Sequence, residues 1–256
     1  MVKIIVCYKI VPDEHEIAVM QDRTLDVSKA SLELSPYDCN AVEAAMRFAA
    51  ETDGSVTVLT AGGERVENGK MKKGILSRGP SEMFAVKGDA LDSTDSYNIA
   101  AVLKAAIERI GGAELVICGE GSADMYNQQL GNMLGAMMGL PTVNGVSAIR
   151  PSEGGVTLER AVEDGVEVLE CALPTVLSVT SDICPVKIPS MKDILAAGKK
   201  PCTVIPLGEL TELAGDRVET VNILAPQDAD RKRLVVTGDA DEQVEAFYNN
   251  IRRAIL

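Results

Sequence analysis

Tryptophan is absent from this 256-residue chain, histidine occurs once, and aromatic residues make up only 3% of it. A single histidine, His15, rules out a histidine-rich metal site, and any Ser-His-Asp or Cys-His device would have to use it. His15 lies in Pro12-Asp13-Glu14-His15-Glu16, which reads as a solvated loop. Positive charge is also scarce: 25 Lys+Arg stand against 38 Asp+Glu, a formal charge of −13. That balance argues against nucleic acid as a partner, because neutralising phosphates takes clustered Lys and Arg. The six cysteines (Cys7, Cys39, Cys118, Cys171, Cys184, Cys202) contain no C-x-x-C pair, so neither a zinc ribbon nor a disulfide framework is expected. Several fall inside apolar runs, where a free thiol behaves as a small hydrophobe. No run approaches the roughly 18 to 20 apolar residues of a spanning helix, and the opening run is too short for a signal-peptide core. The expectation is a reduced, cytoplasmic protein with no transmembrane segment and no metal.

What is present is an ordinary globular composition, 46% hydrophobic and 25% charged, long enough for one large domain or a domain plus an arm. Residues 2–8 form a continuous apolar run, as in a strand buried on both faces of a parallel sheet. Helical spacing follows over 38–50, a second strand over 56–60, a charged helical stretch over 64–77, and a third strand over 83–86. A helix over 94–110 and a fourth strand over 114–118 complete an alternating β-α pattern. That pattern predicts an α/β fold, a doubly wound parallel sheet with right-handed crossovers. After Pro141 the texture changes: 143–149, 156–162, 166–173 and 175–180 are β-rich and joined by short turns, which predicts an antiparallel ribbon insertion. A short helix over 190–197 precedes a strand over 202–205. From about residue 208 the chain is polar and irregular until a terminal helix over 241–255. The expected division is 1–207 as the α/β domain and 208–256 as an arm.

In open α/β sheets, ligands bind beyond the carboxyl ends of the strands where strand order reverses. Three segments should converge there: Cys7-Tyr8-Lys9, Ala61-Gly62-Gly63, and Gly119-Glu120-Gly121-Ser122-Ala123-Asp124-Met125-Tyr126-Asn127-Gln128-Gln129-Leu130-Gly131. A helix is expected from near Tyr126 to Gly139, burying Leu130, Met133, Leu134 and Met137. Loop glycines admit a close ligand, and a helix N-terminus offers free N–H groups to a phosphate. Ser122, Asn127 and Gln129 would add neutral hydrogen bonds. The loop matches neither a Walker motif nor the dinucleotide fingerprint, so nucleotide binding and an ordinary βα turn both remain open on the residues alone. Lys70, Lys72, Lys73 and Arg78 form a basic cluster, either a solvated helix face or a site for an anionic ligand or partner. Nothing assembles nucleophile, base and oxyanion hole; the chain reads as a binder with no catalytic residues.

Several of these stretches together resemble the electron transfer flavoprotein beta subunit. Lys3-Ile4-Ile5-Val6-Cys7-Tyr8-Lys9 with Val11-Pro12-Asp13 is similar to its opening. Leu34-Ser35-Pro36-Tyr37-Asp38-Cys39-Asn40-Ala41-Val42-Glu43-Ala44-Ala45 resembles its N-P-F-D/C-x-x-A-V-E-E-A stretch, with Ser35 in place of the usual Asn. Leu115-Val116-Ile117-Cys118-Gly119 with Asp124, Gln129 and Gly131 resembles its nucleotide loop, although Met125-Tyr126-Asn127 replaces a more acidic, Thr-bearing segment. The beta signature is nearly met by Arg160-x-x-Glu163-Asp164-Gly165-x-Glu167-x-Leu169 followed by Pro174-x-Val176-Leu177, with Leu158 and Ser178 off the strict pattern. Ile188-Pro189-Ser190-Met191-Lys192-Asp193-Ile194-Leu195 with Lys199-Lys200 is similar to its docking helix. Cys7-Tyr8-Lys9, Leu76-Ser77-Arg78-Gly79-Pro80 and Ile188-Pro189-Ser190-Met191-Lys192 resemble the Fix-type branch, associated with nitrogen fixation or carnitine reduction.

The resemblance implies a heterodimer with an alpha subunit that carries FAD, and an adenine nucleotide in this chain, either AMP or a second FAD. It places nucleotide contacts on Cys7, on Ser35, Pro36, Tyr37 and Asp38, on Ala61, and on Gly119, Gly121, Ser122, Asp124, Asn127, Gln128, Gln129 and Leu130. It places dehydrogenase docking on Met191, Ile194 and Leu195, the dehydrogenase being a flavin enzyme of the acyl-CoA type. Two other readings have their own requirements. An ATP-pyrophosphatase-like adenylating enzyme needs a phosphate loop after the first strand, where Lys9-Ile10-Val11-Pro12 stands instead. A stand-alone nucleotide module of the universal-stress type would lack the long C-terminal arm.

Overall fold

A computed structural model describes residues 2–227 and 234–255. The strands are β1 (Lys3–Cys7), β2 (Ile10–Pro12), β3 (Ala18–Val19), β4 (Leu25–Asp26), β5 (Leu32–Leu34), β6 (Ser55–Gly62), β7 (Glu82–Lys87), β8 (Leu115–Gly119), β9 (Thr142–Ser152), β10 (Gly155–Val162), β11 (Gly165–Ala172), β12 (Thr175–Val179) and β13 (Cys202–Pro206). The helices are α1 (Pro36–Thr52), α2 (Gly69–Leu76), α3 (Ser96–Arg109), α4 (Leu130–Met138), α5 (Met191–Ala197) and α6 (Asp241–Ile255). Among the described residues one nine-stranded sheet runs β11-β10-β9-β12-β8-β1-β6-β7-β13. From β9 to β13 every pairing is parallel, and only β9-β10-β11 is antiparallel. This is the doubly wound α/β architecture that the alternating pattern predicts.

The sheet is buried on both faces because its central strands alternate between two apolar layers. In β1, Ile4 and Val6 face a cluster with Phe48 of α1 and Ile75 of α2. Ile5 and Cys7 face the opposite cluster, with Leu103 and Ile107 of α3 and Leu134 of α4. Each fully buried Ile, Leu or Val side chain contributes about 1.5–3 kcal/mol relative to exposure.

Three sequence expectations are corrected. Residues 175–180 do not belong to the antiparallel ribbon: β12 runs parallel to both β8 and β9. All five of its residues are buried, so it is a central strand, and the ribbon is β9-β10-β11 alone. The stretch 64–77 is not one helix. It breaks at Asn68, whose side chain accepts from the N–H groups of Lys70 and Met71 and so caps a fresh start for α2. The helix expected from Tyr126 begins at Leu130, because Tyr126 (φ 44°) and Gln128 (φ 55°) occupy left-handed backbone that a right-handed helix excludes. Its expected buried face, Leu130, Met133, Leu134 and Met137, does pack against the second cluster.

Beyond β13 the chain crosses the start of α3. Leu207, Leu210 and Leu213 pack against the α3-side cluster. Asp216 accepts from the Thr94 hydroxyl at 2.7 Å and from Asn98 Nδ2 at 3.2 Å, and Arg217 lies over the Tyr97 ring at 3.9 Å. Further on, the Ala225 N–H donates to the Arg23 carbonyl at 2.8 Å. α6 then carries an apolar stripe, Val244, Phe247, Tyr248 and Ile251, that is 40–59% exposed. Residues 228–233 of the expected arm, and Leu256, lie outside the described residues.

Candidate functional site

Strand order reverses between β1 and β8. From β1 the chain winds through β6 and β7 to one side, and β8 then opens the other side. The crevice at the carboxyl ends of these two strands is the expected ligand position. It is bridged by one side chain. Asp38, in the first turn of α1, accepts the Lys9 N–H at 2.8 Å on one carboxylate oxygen and the Gly119 N–H at 3.3 Å on the other. Lys9 follows β1 and Gly119 ends β8, so a single buried carboxyl ties both strand ends to the helix. Burial raises its pKa to about 7, against the opposing pull of the Lys9 and Gly119 N–H groups.

The loop after β8 is organised by Asp124. Its carboxylate meets the Lys9 ammonium at 2.7 Å and accepts from the Ser122 hydroxyl at 2.6 Å and the Met125 N–H at 2.9 Å. Burial works to raise Asp124, yet the Lys9 ammonium, with Ser122 and Met125, holds the carboxyl below its ordinary value. Tyr126 turns back so that its ring lies 5.1 Å from that of Tyr37, tilted by 46°. The glycines beneath are sterically required. A Cβ on Gly119 would lie 2.7 Å from Asp38 Oδ1 and 2.9 Å from the Tyr37 carbonyl carbon, and one on Gly121 would meet the Tyr126 ring. Asn127 donates to Ser96 Oγ at 3.3 Å, joining the loop to the start of α3.

Two helix N-termini end at this crevice with polar groups to spare. Ser35, at the start of α1, is fully buried, and its hydroxyl makes no hydrogen bond among the described residues. α4 begins at Leu130 with no side-chain cap, leaving the first N–H groups of the helix for another acceptor. Orphaned hydroxyl, uncapped helix and glycine-floored loop fit an anionic nucleotide.

The structure thus gathers Ser35, Pro36, Tyr37, Asp38, Gly119, Gly121, Ser122 and Asp124 around the ends of β1 and β8, with Gln128, Gln129 and Leu130 leading into α4. Cys7 is buried at the end of β1, and Ala61 is half-buried one strand away near the end of β6. Sequence reasoning placed Lys9 and Tyr126 in segments converging on the site but assigned neither a contact of its own. Lys9 carries a readable signal, a cation directly after the central strand in an acidic chain. Tyr126 carries none, since nothing marks a tyrosine for left-handed backbone. Elsewhere, Met191 and Leu195 on α5 are more than 70% exposed and Ile194 is 39% exposed, so this face does not join the core. Among the described residues no helix is long and apolar enough to cross a membrane, and no three acidic, Cys or His side chains converge as a metal site would require.

The Asp38 value carries a pH prediction. A carboxyl with a raised folded-state pKa binds its proton more tightly when folded. Its contribution is complete below about pH 4 and is lost as pH rises through about 7. The urea-unfolding free energy of the parent chain should therefore fall between pH 4.5 and pH 8 by about 2–4 kcal/mol more than that of Asp38→Asn. Parallel slopes for the two proteins would contradict this.

The electron transfer flavoprotein domain model matches residues 24–210. That match covers well over half of the chain, including the bridge at Asp38, the loop after β8, the ribbon and α5. Proteins of this domain are electron carriers related to flavin and nucleotide binding. The chain belongs to the electron transfer flavoprotein domain family.

Proposed function

We propose that this chain is the beta subunit of an electron transfer flavoprotein of the Fix-type branch. It binds an adenine nucleotide, AMP or a second FAD, and with a flavin-carrying alpha subunit relays electrons between a dehydrogenase and an acceptor in the cytoplasm. Residues 1–207 are the nucleotide-binding domain and 208–256 the partner-wrapping arm. The observation that carries the reading is the crevice between β1 and β8, built in a chain of this family from the loop that resembles its nucleotide loop.

A flavin, when bound, supplies the redox chemistry; the chain's residues bind, orient and exclude water. The first N–H groups of α4 and the buried Ser35 hydroxyl offer hydrogen bonds to a phosphate or ribose. Lys9, already neutralised by Asp124, adds little net positive charge, so the anion is held by backbone dipoles more than by an ammonium. Tyr37 and Tyr126 lie ring to ring beside the loop. Denaturing the purified heterodimer and counting released flavin and AMP tests the reading. One adenine nucleotide beyond the alpha-subunit FAD is expected, and its absence would refute it.

Docking is assigned to α5. Its outward residues, Met191 and Leu195, are joined by Ile188 at 89% exposure. α5 packs on α2, with Lys73 next to Gly198 and Arg78 bonded to the Lys187 carbonyl, while Lys187, Lys192 and Lys199 lie on or beside α5 itself. The only acid within 185–200 is Asp193, which is engaged in the capping box of α5. An apolar face flanked by cations on a chain of charge −13 suits a partner with acidic groups around an apolar recess. Met191→Ala should slow electron transfer from an acyl-CoA dehydrogenase about tenfold while stability changes by less than about 0.5 kcal/mol. Transfer by the parent chain should weaken as salt rises from about 0.05 to 0.5 M. Normal transfer with a large loss of stability would instead make Met191 a packing residue.

A further inference from the structure

The Lys200 side chain ends in a site made of backbone carbonyls alone. Its ammonium donates to Leu76 O at 2.8 Å, Gly79 O at 3.1 Å and Pro80 O at 2.6 Å. An ammonium has three N–H bonds, and all three are used. Leu76 is the last residue of α2, and its carbonyl also accepts the Gly79 N–H at 3.3 Å, so the lysine binds the turn that ends the helix together with the two residues beyond it. Among the described residues no carboxylate makes an ion pair with it. Burial draws its pKa below the ordinary value.

The turn it grips also holds the other end of the same segment. Arg78 sits between the clasped carbonyls and donates to Lys187 O at 3.4 Å. Arg47 adds a bond to Pro185 O at 3.1 Å, and Glu43 accepts the Lys187 N–H at 3.3 Å. Behind α5, the Lys200 N–H donates to Ala197 O at 3.2 Å, and Pro201 O accepts the Met83 N–H at 3.1 Å. The segment from Lys187 to Lys200 is thus a bracket fastened at both ends to one short turn, with α5 spanning between the fastenings.

α5 needs such fastening. It has seven residues and only Ala197 of them is buried, whereas isolated helices shorter than about 12–15 residues are marginal in water. Its contact with α2 buries Ala197 but leaves Met191 and Leu195 facing solvent, so side-chain packing alone orients it weakly.

We propose that Lys200 is a positioning residue for docking: its three-carbonyl clasp fixes the pose of α5, so that Met191 and Leu195 are presented to the dehydrogenase already ordered. A preordered surface loses less conformational freedom on binding. The role rests on the docking assignment of α5, and the test separates the two.

The test compares Lys200→Met, Lys200→Arg and Met191→Ala in the full-length chain purified with its alpha subunit. Hydrogen exchange at residues 191–198 should quicken about tenfold in Lys200→Met while α1 and β1 keep their protection. With an acyl-CoA dehydrogenase as electron donor, the KM for the flavoprotein should rise about threefold or more at unchanged kcat and unchanged nucleotide content. Lys200→Arg keeps the charge but brings a planar fork to carbonyls that converge on a point, and should recover part of both losses. Where Lys200→Met fails to fold, the Arg variant alone carries the comparison. Unchanged exchange and unchanged KM in the Lys200 variants, with a raised KM in Met191→Ala, would overturn the clasp and leave docking intact. An unchanged KM in Met191→Ala would overturn docking itself, whatever the exchange shows.

Discussion

Gly119→Val is expected to abolish nucleotide retention and to lower stability by about 3 kcal/mol, the upper range for forcing extra methyl groups into a packed site. The new Cβ would lie 2.7 Å from Asp38 Oδ1, 2.9 Å from the Tyr37 carbonyl carbon and 3.0 Å from Tyr37 Cβ. These atoms belong to the first turn of α1, so the collision is not with a flexible tip that swings aside. Asp38 is buried, and it is the group that ties the ends of β1 and β8 together. Moving it breaks both N–H bonds and opens the crevice at its floor. Gly121→Val offers the contrast. There the nearest atoms are in the Tyr126 ring, on an exposed side chain that has room to rotate, so nucleotide should be lost at a smaller cost in stability. Thermal unfolding, together with assay of nucleotide released on denaturation, checks both. A stable Gly119→Val chain with full nucleotide content would remove the ligand from this crevice.

Removing residues 241–256 should weaken binding to the alpha subunit about a hundredfold while leaving the sheet as stable as before. The asymmetry follows from burial. Phe247 and Tyr248 are 56% and 59% exposed, with Val244 and Ile251 beside them on the same stripe. A helix whose apolar face touches so little of its own chain contributes little to that chain's stability. On a partner the same four side chains would form one continuous anchor of the kind that dominates interface energies. Size-exclusion chromatography of the truncated chain with its alpha subunit, diluted to nanomolar concentration, reads the affinity. Intact co-elution would mean that α6 is not a wrapping element. The preceding segment should stay in place, because its bonds to Thr94, Asn98 and Arg23 lie outside the deletion.

The parallel sheet was legible because β1, β6 and β8 are largely apolar on both faces, and such runs have few alternatives to a central strand. The order of those strands was less so. β12 follows the ribbon in sequence and is joined to it by a short turn, so nothing local distinguishes one more hairpin strand from a strand that leaves for the sheet interior. The start of α4 was misplaced because Tyr126 and Gln128 take left-handed backbone without a glycine to announce it. The spacing of Met191, Ile194 and Leu195 is equally compatible with core and with surface. Only their exposure in the folded chain separates the two. Lys9 shows the opposite limit: its type and place were visible, but its use depends on Asp124, 115 residues away.

The insertion of β12 between β8 and β9 has a consequence for the order in which the chain folds. β9 is synthesised before β12 yet lies outside it, so the ribbon has no place on the sheet until residues 175–179 have been laid against β8. The hairpins β9-β10 and β10-β11 pair residues close in sequence and close early at small entropic cost. The slot between β8 and β9 joins two parallel edges and must fill later. The chain should therefore pass through a state in which ribbon and half-sheet are each formed and meet only through one five-residue strand. Polar substitution within β12 should slow the joining of these halves far more than substitution in the ribbon does, with Val176 and Leu177 the positions of greatest effect.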